Sequence, residues 1–319
     1  MAPKKIGILC GFEDTFPHAF VNKVNELGEG EIVGEFVRLA APMMGQPSGY
    51  ELIVDRISHE IMTYKPFLKH AVLTGTYVVN DPFWWLADDK FFDGGLVSQL
   101  GVAHPKTAVL PAKRRFPRTT EMSYRNQALV DWKEVFDYIG FPAILKPYDG
   151  GGWRNVYKVN NVQEFFKAYE ETGNLVMIAQ ECIDFDDYFR CLCIGKDDVL
   201  PIRYNPRAYF HERYVPGTPD PNDPLVARVI KDSRTICHAL GYDMNSVEFA
   251  CKDGIPYAID FMNPAPDMDY HSIRPENFDW VVNAMAKMAV RYVREGRKMP
   301  KRHPWQFAVD EAKATAAVN

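Results

Sequence analysis

NSVEFACKDGIPYAIDFMNPAP, residues Asn245–Pro266, is the stretch on which the reading of this chain turns. Val247–Cys251 and Pro256–Phe261 carry strand-forming residues, and Lys252-Asp253-Gly254 between them is turn chemistry. Side chains alternate faces along a strand, so the loop length decides which residues meet across the ladder. A three-residue loop, with Gly254 at the position needing positive φ, puts Glu248 and Asp260 on one face as near neighbours. A two-residue Asp253-Gly254 loop puts them on opposite faces, so the argument depends on that register. Two adjacent carboxylates repel unless something positive lies between them. Asn263 follows on a segment that Pro264 and Pro266 hold extended. Two carboxylates and a neutral amide oxygen are hard-cation ligands, suited to Mg²⁺ that also holds phosphate oxygens. The competing reading is a solvent-facing hairpin charged for solubility, and other stretches are needed to choose.

The whole chain sets the frame. Its 319 residues suffice for two or three packed lobes, and 47% apolar with 25% charged residues is ordinary for a globular protein. A net charge of −5 argues against a non-specific nucleic-acid binder, which wants a basic surface. No apolar run approaches the roughly 20 residues of a membrane span, and MAPKKIGILC has no secretion-signal pattern. The six cysteines, at 10, 182, 191, 193, 237 and 251, show no zinc-site spacing. They read as small buried residues in a reducing cytoplasm.

Along the chain, Lys5–Cys10 is a buried strand, followed by Gly11–Asp14 and an amphipathic helix, Pro17–Leu27. Strands at Glu31–Leu39, Leu52–Val54 and Thr76–Val79 alternate with a helix near Tyr64–His70, the signature of a parallel sheet covered by helices. Ligands of such sheets sit at the carboxyl ends of strands, where Gly11–Asp14, Arg56 and Asn80 lie. A helix Asp89–Leu100 closes this section. Beyond it, Pro111–Arg118 is a basic, solvated loop, and strands with intervening helices run to Asn263. Phe278–Arg294 is an amphipathic packing helix, and the polar tail from Lys298 is expected to fray.

Ala143–Val156, AILKPYDGGGWRNV, carries Lys146 near a strand end and then turns through Asp149 into Gly150-Gly151-Gly152. Consecutive glycines let backbone N–H groups approach an anion, and the lysine supplies a fixed positive charge. It is not a Walker A loop, because the lysine precedes the glycines. In Val176–Gly195, VMIAQECIDFDDYFRCLCIG, one strand ends at Gln180-Glu181, an acidic linker Asp184–Asp187 follows, and a second strand starts at Arg190. Acids after a strand end can take ribose hydroxyls, and hinge amides can read an adenine edge. Singly, a glycine turn and an acidic turn are weak signals.

Together, in this order and spacing, these stretches resemble the ATP-grasp superfamily, nearest to its glutathione synthetase/RimK-like and D-alanine–D-alanine ligase branch. Four elements carry the resemblance: Asp89-Lys90 before a helix, KPYDGGG at Lys146–Gly152, QECI with a following acid at Gln180–Asp187, and the VEF…IDFMNP hairpin. The resemblance implies an α/β (α+β) chain with the ATP-grasp fold and an N-terminal Rossmann-like pre-ATP-grasp domain. Its expected units are residues 1–100, a small subdomain 101–178 and a C-terminal subdomain 179–319. ATP and Mg²⁺ are the implied cofactors. By position, Lys90 and Lys146 match phosphate lysines, and Gly150, Gly151 and Gly152 the loop that closes over phosphates. The backbone of Glu181, Cys182 and Ile183 matches the adenine hinge, and Asp187 the ribose acid. Glu248, Asp260 and Asn263 match the Mg²⁺ ligands. Arg190 matches the arginine opening the following strand in RimK-like ligases, and Arg203 is placed like the one that steadies the transferred phosphate.

This sequence departs from the family pattern twice. Phe261 and Met262 both stand between the second carboxylate and Asn263, where one residue is usual, so a local bulge must restore Asn263 or metal binding is altered. Asp187 to Arg190 is also one residue longer than in RimK-like ligases, which leaves Asp186 and Tyr188 as alternative ribose neighbours.

The implied chemistry is ATP-dependent carboxylate–amine ligation through an acyl phosphate, with a small carboxylic acid and an amine as substrates. Arg56, Arg207 and Arg213 suit a carboxylated substrate, since guanidinium binds carboxylate bidentately. Tyr209, Phe210 and Tyr214 hint at an apolar portion in one substrate. A kinase of a small polyol on the same fold, needing no second substrate, is the competing enzyme. A nucleotide-binding protein without turnover is the third reading, favoured only by the displaced Asn263. The setting expected is cytoplasmic, with no nucleic-acid or membrane partner and a homodimer through the first domain.

Overall fold

A computed structural model describes residues 2–84, 89–151, 154–209 and 212–316. Among them the strands form three four-stranded sheets. The first has the order β2-β1-β3-β4 and is parallel throughout, from β1 (Lys4–Leu9), β2 (Ile32–Phe36), β3 (Leu52–Asp55) and β4 (Tyr77–Val79). All four residues of β3 are buried, as a central parallel strand with both faces covered requires. Helices α1 (Phe16–Gly28) and α2 (Tyr64–Leu73) follow β1 and β3, as the alternation predicts.

After α3 (Lys90–Gln99) comes an antiparallel sheet of order β5-β8-β6-β7. Its strands are β5 (Thr107–Leu110), β6 (Ala143–Pro147), β7 (Tyr157–Val159) and β8 (Met177–Glu181). It has its own core, in which Trp132 and Phe136 of α4 (Trp132–Ile139) meet Phe165 of α5 (Val162–Glu171) edge-on at 5.7 and 4.9 Å. This sheet reaches Glu181, so a division at residue 178 falls inside β8.

The third sheet, also antiparallel, has the order β10-β9-β11-β12, from β9 (Asp187–Ile194), β10 (Asp198–Arg203), β11 (Met244–Lys252) and β12 (Ile255–Asp260). Phe189, Cys191 and Cys193 of β9 pack with Val229, Ile236 and Cys237 of α6 (Pro224–Leu240). Leu192 and Ile194, on the other face, share a core with α8 (Pro275–Arg294) and with Phe16, Phe20 and Val24 of α1. The first and third sheets are therefore joined through one hydrophobic core, while the second stands on its own. All six cysteines are free, and Cys191, Cys193, Cys237 and Cys251 are buried.

One sequence expectation is corrected at the end of the chain. The tail past Lys298 does not fray: Pro304–Ala316 form helix α9, with Trp305 packed against Phe83 at 5.3 Å. Apolar Trp305 gives this polar segment an anchor that its average composition hides. No helix among the described residues is long and apolar enough to cross a membrane.

Candidate active site between the two antiparallel sheets

The hairpin resolves the register question in an unexpected way. Lys252 pairs with Ile255, so the loop is Asp253-Gly254 alone, with φ of 50° and 75°. Two consecutive positive φ values are what a two-residue loop matched to strand twist demands. The three-residue loop is thereby overturned. Continued regularly, this register would set Glu248 opposite Ile259 and turn Asp260 away. A β-bulge intervenes: Phe249 pairs with Ala258 but Glu248 pairs with Asp260, leaving Ile259 as the extra residue. The bulge restores the two carboxylates to one face. It also turns the Ile259 carbonyl to Lys146, whose Nζ donates to it at 3.1 Å.

Charges converge on this pair. Arg190, directly opposite Glu248 on β9, brings Nη1 to 3.6 Å from Glu248 Oε1. The Tyr188 hydroxyl, two residues back on the same strand face, donates to Glu248 Oε2. Burial pushes the Glu248 carboxyl up; Arg190 pulls it back and repulsion from Asp260 adds to the rise. Lys146 reaches over from β6, and burial of its ammonium lowers its pKa from 10.5 to about 8, against the pull of Asp260 and with the push of Lys90. Lys90 is the first residue of α3, whose N-cap Asp89 accepts from Phe91 N and Phe92 N at 3.0 Å. The Asp-Lys pair thus divides its work: the acid caps the helix and the lysine reaches out. Lys90 Nζ donates to Gly150 O at 2.8 Å and lies 3.9 Å from Asp260.

Gly150 has φ +81°, which favours glycine, and among the described residues a Cβ added at Gly150 or Gly151 meets nothing within 4 Å. Gly152 and Trp153 lie outside the described residues. Behind Lys90 and Lys146, a small cleft is lined also by Asp93, His104, Gln180 and Asp260. Burial and the neighbouring Lys146 lower the His104 pKa to about 4, so this ring is neutral, and Gln180 Nε2 stands 3.4 Å from its Nε2.

Asn263 is tied to β11 despite the two residues before it. Phe261 and Met262 are both buried, and Asn263 N donates to Asn245 Oδ1 at 2.9 Å. Its Nδ2 donates to Ser246 Oγ at 3.1 Å, and Ser246 shares a strand face with Glu248. Among the described residues no three His, Cys, Asp or Glu side chains form a metal-holding group. The local donor set is therefore two carboxylates with an amide and a hydroxyl beside them.

Other expected residues are placed differently. At the hinge, Glu181 N donates to Lys106 O at 2.8 Å and Cys182 N to Pro142 O at 3.3 Å. Asp187 and Arg203 are not brought to the carboxylates. Arg203 pairs in register with Phe189, so it leaves the sheet on the face opposite Arg190; its guanidinium lies 5.5 Å over the Phe189 ring and binds Asp187 at 3.0 Å. Arg207 stacks on Phe185 at 4.1 Å and meets Asp184 at 3.3 Å, and Arg213 Nε donates to Ala208 O at 3.3 Å. Phe210 lies outside the described residues.

Arg56 is not open to a substrate. Its Nε donates to Glu13 at 2.7 Å, and Nη2 donates to Pro266 O at 2.7 Å and to the second Glu13 oxygen. Asn80 likewise binds the backbone of Asp243 and Met244. These strand-end residues clasp the third sheet instead of facing a ligand. The reason is the shared core: α8 draws the two sheets together over the ends where a free domain would bind.

Sequence reasoning placed the carboxylates and both lysines and missed Tyr188 as the partner of Glu248. Strand alternation was the available signal, since Tyr188 and Arg190 are two apart.

No family model matches the chain. D-alanine–D-alanine ligases of Ralstonia nicotianae and Ralstonia pickettii are 27% identical to it over 213 and 212 residues, 57% of this chain. The match spans 63% of the length of each of these curated relatives. Among solved structures, D-alanine–D-alanine ligase of Bacillus anthracis complexed with ATP aligns with TM-score 0.63 at 17% identity, covering 92% of this chain and 99% of that one. VanG D-Ala:D-Ser ligase of Enterococcus faecalis gives 0.64 at 17%, over 91% and 99%. A RimK domain ATP-grasp protein of Sphaerobacter thermophilus gives 0.61 at 16%, over 90% and 98%. At such identities the structural likeness concerns the fold, and that fold is the one the sequence motifs anticipate.

Proposed function

We propose, from the premise that this chain is a member of the ATP-grasp superfamily, that it is an ATP-dependent carboxylate–amine ligase releasing ADP and phosphate. The observation that carries this reading is the opposition of Glu248 and Asp260 across β11 and β12, with Lys90 and Lys146 above them. An idle site has no reason to hold two adjacent carboxylates under two lysines.

Glu248 and Asp260 would hold Mg²⁺, and Asn263, whose nitrogen is turned to Ser246, would offer Oδ1. Bound there, Mg²⁺ would neutralise phosphate charge during transfer. Lys90 and Lys146 take phosphate oxygens, and the Gly150–Gly152 loop closes over them. With Glu181 N and Cys182 N engaged in the sheet, Ile183 supplies the amide for an adenine edge. Asp187, tied to Arg203, stands at the start of β9 as the ribose acid.

The acid substrate's carboxylate oxygen attacks the γ-phosphorus and ADP leaves, giving an acyl phosphate. The amine then adds to the acyl carbon, and phosphate departs with the C–O bond pair. Arg190 is the cation placed to stabilise the oxygen charge that develops. Arg203, on the opposite face of the sheet, holds Asp187 and is given no phosphate. Arg207 and Arg213 would meet the carboxylate of a substrate, Arg207 by leaving Asp184. Fitting units are residues 1–100, 101–181 and 182–319. The partners on this reading are a small carboxylic acid and an amine, the setting is cytoplasmic, and pairing of two copies is through the first domain.

The test is ADP release with ATP and Mg²⁺ against pooled carboxylic acids and amines, for the wild type and Asp260→Asn. Release that needs both pools, gives a hydroxamate when hydroxylamine replaces the amine, and is lost in the variant supports the ligase. Release with polyols alone and no hydroxamate overturns it in favour of a kinase.

A further inference from the structure

The Glu248 carboxylate is held at both oxygens, by Tyr188 at Oε2 and by Arg190 at Oε1. Asp260 across the ladder is different: its side chain is 48% exposed, against 15% for Glu248. One carboxylate of the pair is open to the cleft and the other is clamped.

The two clamps are not equivalent. The Arg190 contact is long, at 3.6 Å, and its buried Nε has no hydrogen-bond partner among the described residues. A guanidinium with a spare donor is poised for a bidentate grip on a carboxylate, the strongest pairing it can make. The Tyr188 hydroxyl, bonded to the other oxygen, holds the carboxylate from the opposite side. Tyr188 is itself fixed: it is buried, and its ring packs edge-on to Phe185 at 5.1 Å and against Tyr204 at 5.8 Å.

We propose that Tyr188 is a positioning residue that holds Glu248 beside Asp260 against the pull of Arg190. One hydrogen bond and one long ion pair leave lone pairs on both Glu248 oxygens, since a carboxylate accepts at about four sites. Without Tyr188, Glu248 turns to close a two-bond pair with Arg190 and withdraws from Asp260. The inference rests on the reading of Glu248 and Asp260 as a cation-holding pair. It also explains the longer Asp187-to-Arg190 spacing, which puts Tyr188 on the strand face of Arg190 and leaves Asp187 to Arg203.

The experiment measures Mn²⁺ affinity by the electron paramagnetic resonance of the free ion, with a non-hydrolysable ATP analogue bound. Wild type, Tyr188→Phe, Arg190→Gln and the double variant are compared. Removing a residue that orients a metal ligand typically weakens metal binding 10- to 100-fold. Tyr188→Phe is expected to weaken Mn²⁺ binding about tenfold, with analogue affinity in the absence of metal unchanged. In the Arg190→Gln background the same change should cost less than about threefold, because the competing pull is gone. A merely structural tyrosine gives the same loss in both backgrounds, and that result overturns the proposal, as does wild-type affinity in Tyr188→Phe. Should Tyr188→Phe fail to fold, Tyr188→Met, also without a donor, is read in its place. If wild-type protein binds no Mn²⁺ with the analogue, the cation-pair reading itself fails and takes this proposal with it.

Discussion

Two arginines of this chain are buried against glutamates, and they do opposite things. Arg56 spends every nitrogen: Nε and Nη2 on Glu13, Nη2 also on Pro266 O, and Nη1 beside the sulfurs of Met268 and Met244 at 3.4 and 3.6 Å. Arg190 touches Glu248 from 3.6 Å and leaves Nε without a partner among the described residues, its guanidinium 5.6 Å over Tyr204 and 5.9 Å over Tyr214. A buried donor left unpaired costs free energy, and folds keep such groups where a ligand completes them. Satisfaction, not burial, separates the tie from the site.

Substitution should split them the same way. Arg190→Gln is expected to lower kcat about 10²- to 10³-fold, the loss typical of removing a donor aimed at developing charge, with a small change in melting temperature. Arg56→Met should do the reverse. It leaves Glu13 without its partner in a partly buried place and costs about 3 kcal/mol of stability, the lower end for breaking a buried pair. Its kcat per folded molecule should stay within about tenfold. Urea unfolding and steady-state kinetics on both variants check the pair, and a destabilised Arg190→Gln with full turnover would reverse the comparison.

Lys146 sharpens it on the side of the site, because its burial works against its charge. With its pKa lowered from 10.5 to about 8, the free protein loses the Lys146 charge as pH rises through about 8. Nucleotide affinity should fall over that rise, and Lys146→Arg should move the fall out of the measurable range. Stability has the opposite sign. Between about 8 and 10.5 the unfolded chain binds the proton that the folded chain has released, so Lys146 contributes a stability that grows with pH across this window. Nucleotide titrations and urea melts at pH 7 and 9 separate the two. If both decline together, Lys146 is a tie like Arg56.

The fold was legible because its signals are local and repeated: strand–helix alternation to residue 100, then the three motif stretches in order. The convergence of Lys90 and Lys146 on the carboxylate pair was legible for the same reason. Residues whose role depends on how the lobes meet were not. Arg56 and Asn80 lie at strand ends, where a lone α/β domain binds ligands, but the core shared with α8 presses those ends onto β11 and the Pro264–Pro266 segment. Arg203 was misjudged because its face of β10 depends on a pairing with β9 that spacing does not specify. The hairpin is the instructive case: the loop was read one residue too long, yet the carboxylates meet, because the bulge at Ile259 supplies the missing residue elsewhere.

That case gives the smallest prediction, at the far end of the same hairpin. Gly254 has φ +75°, so Gly254→Ala should cost about 1 kcal/mol from backbone strain alone. An added Cβ there meets nothing within 4 Å, so no packing change accompanies it. The register below the turn is fixed by Phe249 and Ala258, buried together against α6, and by the bulge beneath them. Glu248 and Asp260 should therefore stay opposed, and the Mg²⁺ dependence of nucleotide binding should not move. A Gly254→Ala variant that loses cation dependence along with stability would mean that the turn, not the bulge, sets the register. The tip of the hairpin would then belong with Arg190 rather than with Arg56.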